Sequence, residues 1–113
     1  MDQEQNILQI ENLSKYFGGL AAVSDCSLKI KEGSGSDFEA VAGQLVEKVN
    51  ANEDGVVYYD LYKENETTYV FLERYKDQEA QDAHGKTDYF RALGAEMGAF
   101  MAGPPEIKVL AAV

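Results

Sequence analysis

The chain has 113 residues, and its 10 Lys and Arg against 20 Asp and Glu give a net charge of −10 at pH 7. This excess of negative charge repels phosphates and anionic lipid, so we expect neither nucleic acid nor a membrane surface as a partner. The length and the 45% hydrophobic content are typical of one folded domain. No apolar run approaches the roughly 20 residues of a membrane span. The acidic start MDQEQN is unlike a signal peptide, so we expect a cytoplasmic protein.

The first third of the chain carries two strand signals. An apolar run over residues 7–13 predicts one strand, and alternating apolar and polar residues over 23–31 predict another. A Gly-Ser segment at 33–36 separates them from the rest of the chain. Cys26 is the single cysteine, which excludes an internal disulfide or a cysteine-based metal site. We interpret it as a small apolar residue.

A helix is predicted directly after the Gly-Ser segment. Ser36 and Glu39 have the spacing of a capping box, in which the two side chains satisfy free backbone N–H groups. The helix is expected to end near residues 50–52. Its apolar residues recur at three- and four-residue intervals, at Phe38, Val41, Ala42, Leu45, Val46 and Val49.

Two β-rich runs follow, at 56–62 and 67–75, joined by a polar hairpin loop in which Asn65 is interpreted as a turn residue. Both runs are apolar on both faces. The first alternates Val57, Tyr59 and Leu61 with Val56, Tyr58 and Tyr62, and the second alternates Tyr69, Phe71 and Tyr75 with Val70 and Leu72. Both faces of such a sheet must be packed against other parts of the protein. The helices cover one face, so we expect a second copy of the chain to cover the other face, in a homodimer.

The last third predicts two helices and a strand. A short helix is expected over residues 77–83, and a second helix is expected to start with Thr87 as its N-cap. Gly103-Pro104-Pro105 ends that region, and residues 107–113 predict a strand. The second helix presents Phe90, Leu93, Met97, Phe100 and Met101 on one face. From residue 23 onward the order is β-α-β-β-α-β, which indicates a ferredoxin-like α+β fold with an antiparallel sheet.

Five segments of the second part carry a family resemblance: DFEAVAGQLVEKV, NEDGVVYYDLY, YVFLERYKDQEAQDAH, TDYF and GPPEIKVL. In order and spacing they resemble the antibiotic biosynthesis monooxygenase (ABM) family, whose members pair into dimeric α+β barrels. The resemblance implies a protein that binds a small, flat, mostly apolar or aromatic molecule. As an enzyme, it would be a cofactor-independent monooxygenase of quinol or polyphenolic substrates. The fold alone does not decide the activity, because it hosts many reactions.

The beginning of the chain, LQIENLSKYFGGLAAVSDCSLKIKEG, resembles a different family. It is similar to the opening strands of an ABC-transporter ATP-binding subunit of the branched-chain amino acid importer type. There, such a run leads into a phosphate-binding loop, whereas here SGSDFEAV follows, so no ATPase activity is expected. We therefore predict a chimera, natural or engineered, with residues 1–22 as an extension and 23–113 as the ABM-like domain. The alternative to an enzyme is a catalytically silent chimera whose strand at 23–31 completes the sheet.

Residues 80–87 fit a loose phosphate-loop pattern, with Ala80 in place of the first glycine. A functional loop needs a preceding buried strand and backbone N–H groups that point at phosphate. The segment instead has helical propensity and carries acidic residues that would repel a triphosphate. We reject a nucleotide site here.

Two residues are the catalytic candidates. His84 is the single histidine, and its unperturbed pKa lies near neutrality, which suits a proton shuttle in a cleft between helices and sheet. The alternative is a water-facing histidine that favours the C-terminal dipole of its helix. Tyr75 occupies a position where ABM relatives often carry tryptophan, and its phenol could donate to a quinone oxygen. Most aromatic residues are explained by packing. The resemblance implies substrate-binding roles for Tyr59, Phe71, Phe90 and Met97.

The remaining chemical signals have structural interpretations. Glu73 and Arg74 are interpreted as an exposed or sheet-edge ion pair, which contributes little to stability. One histidine without a second soft ligand argues against a metal site, and no cofactor is expected. Haem binding is a third hypothesis, which the single histidine permits but does not favour.

Overall fold

A computed structural model describes residues 22–112. The elements are β1 (Ala22–Lys29), α1 (Gly35–Asn52), β2 (Val56–Asn65), β3 (Thr68–Tyr75), α2 (Gln78–Gly85), α3 (Asp88–Gly98) and β4 (Glu106–Ala111). The predicted β-α-β-β-α-β order is confirmed, with the short predicted helix present as α2. The predicted strand over residues 7–13 lies outside the described residues. The predicted extension over residues 1–22 also lies outside them, apart from Ala22, where β1 begins.

The four strands form one antiparallel sheet in the order β2-β3-β1-β4. The two central strands are therefore β3 and β1, as expected for a ferredoxin-like α+β fold. In the register, Ser24 of β1 lies opposite Glu73 of β3 and Val109 of β4, and Tyr59 of β2 also lies opposite Glu73. Directly opposed residues share a face, so this register places Glu73 on the same face as the buried Tyr59.

Helix α1 confirms the predicted apolar stripe but not the predicted cap. Within the stripe Phe38, Ala42, Leu45 and Val49 are fully buried. The N-cap is Ser34 rather than Ser36, and no side-chain hydrogen bond caps the helix. A turn places the start earlier, because Ser34 N–H donates to the Lys31 carbonyl and the intervening Gly33 adopts φ +82°.

The Glu39 carboxylate of the predicted capping box has a tertiary partner instead. It accepts a hydrogen bond from the Tyr69 hydroxyl of β3. The Tyr69 ring also packs on Phe38, with ring centroids 4.8 Å apart. The capping-box prediction was wrong because α1 begins at Gly35, so Ser36 lies inside the first turn, and the Glu39 carboxylate bonds to a residue 30 positions away in sequence.

The starts of α2 and α3 are confirmed by their caps. The Asp77 carboxylate accepts from the Ala80 N–H at 2.8 Å, and the Thr87 hydroxyl oxygen accepts from the Phe90 N–H at 3.2 Å. Residues 80–85 are helical, which agrees with the rejection of a phosphate loop. None of the helices within residues 22–112 is long and apolar enough to cross a membrane.

The core lies between the helices and one face of the sheet. Its buried apolar residues are Leu28, Ile30, Phe38, Ala42, Leu45, Val49, Tyr59, Tyr69, Phe71, Leu93 and Met97. Phe90, Phe100 and Met101 are half-buried against it, as the predicted helix face requires, although the last two lie beyond the end of α3 at Gly98. Cys26 also packs against this core, which confirms its interpretation as a small apolar residue.

A bulge in β2 changes the predicted assignment of its faces. The register shifts between Val56 and Tyr58. Val56 therefore packs against the core, while Val57, expected beside Tyr59, is 58% exposed. An extra residue in one strand resets the two-residue alternation, so the face prediction was wrong for Val56 and Val57 and correct for Tyr59.

The other face of the sheet carries apolar side chains that no described helix covers. The register and the alternation of the strands place six on this face: Val23, Tyr58, Tyr62, Val70, Leu72 and Leu110. Tyr62 is 52% exposed and Leu110 is 58% exposed, whereas Tyr58 is half-buried. We call these six residues the open sheet face. It is the surface through which the sequence predicts a homodimer.

Asn65 has the predicted turn role at the β2–β3 hairpin. Its Oδ1 accepts hydrogen bonds from the Thr67 N–H at 3.0 Å and from the Thr67 hydroxyl at 3.3 Å. This arrangement is an Asx turn, in which the side chain stands in for a backbone acceptor.

Candidate functional site

His84 lies near the end of α2 and is only 4% exposed. Its Nδ1 lies 3.0 and 3.1 Å from the two carboxylate oxygens of Glu53 in the α1–β2 turn. The Nε2 atom on the other side of the ring is buried and has no hydrogen-bond partner among residues 22–112. The interpretation of His84 as a water-facing residue is therefore wrong.

Three aromatic rings surround the His84 imidazole, and each comes from a different element. Their centroids lie 4.6 Å away for Phe90 of α3, 5.1 Å for Tyr59 of β2 and 5.6 Å for Tyr75 of β3. We call His84 with these three rings the histidine cluster. Phe71 extends it, because its ring lies 5.6 Å from that of Tyr59.

The structure thus brings five of the six predicted site residues into contact, directly or through one neighbour. The sixth, Met97, is a buried member of the same core and has no ring contact with the imidazole. Burial raises the pKa of Tyr59 and of Tyr75 well above the usual value, and the nearby Glu73 carboxylate acts in the same direction. Both phenols are therefore neutral at physiological pH and can donate hydrogen bonds.

Glu53 is a site residue that the sequence analysis missed. It accepts hydrogen bonds from His84 and from the Tyr89 hydroxyl. Burial acts to raise the pKa of Glu53, but these two hydrogen bonds and the charge of His84 outweigh it and lower the pKa below its usual value. One local signal was present, because a carboxylate at the C-terminal end of α1 opposes the helix dipole and calls for another partner.

Glu73 was assigned to a surface ion pair, and that interpretation is wrong. Glu73 and Arg74 are consecutive on β3, so their side chains leave opposite faces of the sheet. The Glu73 carboxylate points toward the core and accepts a hydrogen bond from the Tyr75 hydroxyl at 2.5 Å. Burial raises the pKa of Glu73, although the charge of His84 and the Tyr75 hydrogen bond act against this rise.

A cavity of about 450 Å³ opens beside the histidine cluster. We call it the outer cavity, and it is lined by Asn52, Glu53, Asp54, Gly55, Val56, Ala80, Ala83, Thr87 and Tyr89. Glu53 and Tyr89 belong to its wall, whereas His84 lies behind Glu53. Its volume is within the range of small-molecule sites. Within residues 22–112, no group of three or more His, Cys, Asp or Glu side chains is arranged to hold a metal ion.

The ferredoxin-like sheet, with a histidine enclosed by aromatic rings between helices and sheet, defines a small α+β protein with a buried histidine–carboxylate pair. The antibiotic biosynthesis monooxygenase family model matches residues 25–96, and the chain belongs to this family. The match begins inside β1, so most of that strand lies within the family domain. The resemblance of the first 33 residues to an ABC-transporter subunit stays a prediction.

Individual relatives agree with this assignment. A protein of Bacillus subtilis (strain 168), YcnE, named as a proposed monooxygenase, is 30% identical over 82 residues, which are 71% of this chain and 85% of the relative. The crystal structure of a proposed antibiotic biosynthesis monooxygenase from Caulobacter crescentus CB15 is 38% identical. It superposes with a TM-score of 0.82 over 90% of this chain and 98% of that chain.

SnoaB of Streptomyces nogalater, described as a cofactor-independent oxygenase, shares the fold at 18% identity and a TM-score of 0.70. That comparison covers 81% of this chain and 92% of SnoaB.

Proposed function

We propose that this protein is a cofactor-independent monooxygenase that binds a quinol or polyphenolic substrate beside His84. The observation that carries the proposal is the Nε2 atom of His84, which is buried within a ring of aromatic side chains and lacks a hydrogen-bond partner in the described part of the chain. An unpaired buried acceptor is costly. A ligand hydroxyl that reached Nε2 would remove this cost, and the surrounding rings favour a flat aromatic body for that ligand.

The proposed chemistry needs a base, a stabilised anion and a dry site. His84 Nε2 takes the proton of a substrate hydroxyl, so that an O–H bond breaks and an N–H bond forms. The substrate anion then reduces dioxygen. One oxygen atom becomes a carbonyl oxygen of the oxidised ring, and the other leaves as water with the two hydrogens that the substrate loses. Tyr59, as a neutral buried phenol, would donate a hydrogen bond to the developing oxyanion. The Tyr75 hydroxyl already donates to Glu73, so Tyr75 contributes its ring, which packs on the imidazole.

The apolar members have a packing role in this proposal. Phe90 lies nearest to the imidazole, and Phe71 contacts Tyr59 on the sheet. With Met97 they form the wall that keeps water from the anion, where exclusion of water strengthens each hydrogen bond. The outer cavity reaches Glu53 and Tyr89 on the Nδ1 side of the ring, so it gives a small molecule access to the partner of His84 and not to Nε2.

We propose in addition that two copies of the chain pair through the open sheet face. The open sheet face holds two adjacent apolar pairs, Tyr62–Val70 and Val23–Leu110, whereas Leu72 lies between Asp25 and Asp60. Apolar pairs grouped on a sheet face that no described helix covers mark an interaction site. A second copy brings the same face with it, and two such sheets pack at about 10 Å from each other. Light scattering should give twice the chain mass of 12.5 kDa. A mass of one chain at micromolar concentration would contradict the dimer.

Oxygen uptake with a panel of quinols and naphthols tests the enzymatic proposal. The parent should consume oxygen, and His84→Ala should lose about 100-fold or more of the rate, the usual contribution of a general base. Tyr75→Phe retains the ring and is expected to bind substrate with a smaller loss of rate. Equal and negligible rates for the parent and His84→Ala would instead establish the catalytically silent alternative.

A further inference from the structure

The groups that face the His84 imidazole come from four elements. Glu53 approaches from the α1–β2 turn, Tyr59 from β2, Tyr75 from β3 and Phe90 from α3. The Glu73 carboxylate on β3 also acts on the ring through its charge. The pKa values of the two carboxyl groups shift in opposite directions, because hydrogen bonds lower the pKa of Glu53 whereas burial raises that of Glu73. With its lowered pKa, Glu53 is ionised at neutral pH.

The Glu53 contact determines which nitrogen of His84 carries hydrogen. An ionised carboxylate only accepts hydrogen bonds, so Nδ1 must donate to it. In the neutral imidazole the lone pair then lies on Nε2, on the opposite side of the ring. The Tyr89 hydroxyl donates to the same carboxylate and restrains its orientation. Nε2 itself is buried, and no described side chain or backbone group bonds to it.

We propose that Glu53 is a positioning residue that holds His84 in the Nδ1–H tautomer, so that Nε2 accepts the hydroxyl of an aromatic ligand. This inference rests on the proposed function and extends it to a residue that need not touch the substrate. When Nε2 takes the hydroxyl proton, the imidazolium that forms lies against the negative charge of Glu53. Removal of the outer partner of a metal-bound histidine typically lowers metal affinity or activity 10- to 100-fold, and we expect an effect of similar size for Glu53.

The tautomer can be measured without any substrate. The chain contains one histidine, so a long-range ¹H–¹⁵N spectrum of labelled protein above the titration range shows one imidazole. The parent should show hydrogen on Nδ1, and Glu53→Met, which retains the side-chain length without an acceptor, should lose that preference. Glu39→Met is the matched control, because the Glu39 carboxylate, like that of Glu53, accepts a hydrogen bond from a tyrosine, but its partner is Tyr69. It should leave the spectrum unchanged.

Binding of two probes measures the consequence for ligands. The parent should bind 1-naphthol about fivefold more tightly than 1-methoxynaphthalene, the advantage of one hydrogen bond. Glu53→Met should lose this preference, and Glu39→Met should retain it. Should Glu53→Met not fold, Glu53→Gln replaces it, because its amide can either accept from Nδ1 or donate to it and should give a mixture of tautomers.

Different results would overturn the two proposals. Hydrogen on Nε2 in the parent, or an unchanged tautomer and probe preference in both Glu53 variants, would refute the role of Glu53. Negligible oxygen uptake by the parent, with the expected tautomer and probe preference, would refute the monooxygenase proposal and leave the ligand-positioning role of Glu53 standing. Where the parent is active, Glu53→Met should lower kcat 10- to 100-fold with little change in KM.

Discussion

Replacing Tyr75 with phenylalanine tests the energetics of the hydrogen bond between the buried Tyr75 and the half-buried Glu73. Tyr75 is 1% exposed, and its hydroxyl donates to the Glu73 carboxylate at 2.5 Å. Phenylalanine retains the ring that packs on His84 and removes only the hydroxyl. The expected loss of stability is therefore the hydrogen bond together with the cost of a carboxyl group left without that donor.

The size of this loss depends on whether Glu73 is ionised. Burial raises the pKa of Glu73, so the group is neutral at pH 4 and ionises as the pH rises through its raised folded value. A hydrogen bond to a neutral acceptor contributes about 1 kcal/mol, and one to a charged acceptor about 2 kcal/mol. The loss in Tyr75→Phe should grow from about 1 to about 2 kcal/mol between pH 4 and the pH at which Glu73 ionises.

The sign of the pH dependence follows from linkage. A carboxyl group with a raised folded pKa favours the folded state at low pH, and this contribution is lost as the pH rises. The Tyr75 hydrogen bond opposes the rise in the pKa of Glu73, so its removal makes the loss of stability with pH steeper. Glu73→Gln removes the ionisable group. The stability of this variant relative to the parent should therefore be higher at high pH than at low pH.

Urea unfolding between pH 4 and 9 of the parent, Tyr75→Phe, Glu73→Gln and the double variant measures these terms. In the Glu73→Gln background, Tyr75→Phe should cost about 1 kcal/mol at every pH, since the amide oxygen stays neutral. For a domain of this size each kcal/mol corresponds to about 4–8 °C in Tm. An equal, pH-independent effect of Tyr75→Phe in both backgrounds would refute the coupling of Tyr75 to a buried ionisable Glu73.

Three further predictions concern the fold and the dimer. A Cβ at Gly55 would lie 2.5 Å from the Ala80 Cβ, so Gly55→Ala should lower the free energy of unfolding in urea by about 1–3 kcal/mol. Gly43 has open space around it, so the control Gly43→Ala should stabilise α1 by about 0.5–1 kcal/mol. Leu45→Ala deletes a fully buried side chain of α1 and should cost about 2–5 kcal/mol; a loss under 1 kcal/mol would contradict its place in the core. Leu72→Lys places a charge on the open sheet face and should halve the mass measured by light scattering with an unchanged circular dichroism spectrum, and an unaffected dimer would place the interface elsewhere.

Features that depend on residues close together in the sequence were predictable. The caps at Asp77 and Thr87 and the Asx turn at Asn65 each join residues two or three positions apart, so a short window contains the whole interaction. The apolar spacing on α1 likewise identified its buried face. Ser36 shows the limit, because its capping-box pattern with Glu39 was present but α1 begins at Gly35 and the Glu39 carboxylate bonds to a distant residue.

The sequence predicted that His84 and the aromatic residues belong to the candidate site. It did not predict that the carboxylates of Glu53 and Glu73 lie beside them. Glu53 and His84 are 31 residues apart and meet only because the α1–β2 turn packs beside α2. The sequence predicted that Glu73 forms an exposed or sheet-edge ion pair with Arg74, but the register of the sheet places Glu73 opposite Tyr59. No pattern within a strand shows which of two apolar faces the helices will cover.

The amino-acid sequence by itself determined the order of helices and strands, the family and the single histidine around which a site could form. These follow from periodicity, capping and short motifs, which act between near neighbours in the chain. Only the tertiary structure decided that a bulge turns Val57 to solvent, that Glu73 points inward and that Glu53 binds Nδ1 of His84. Those outcomes depend on which distant side chains meet when the helices pack on the sheet, because burial and hydrogen bonding across elements then set the state of each ionisable group.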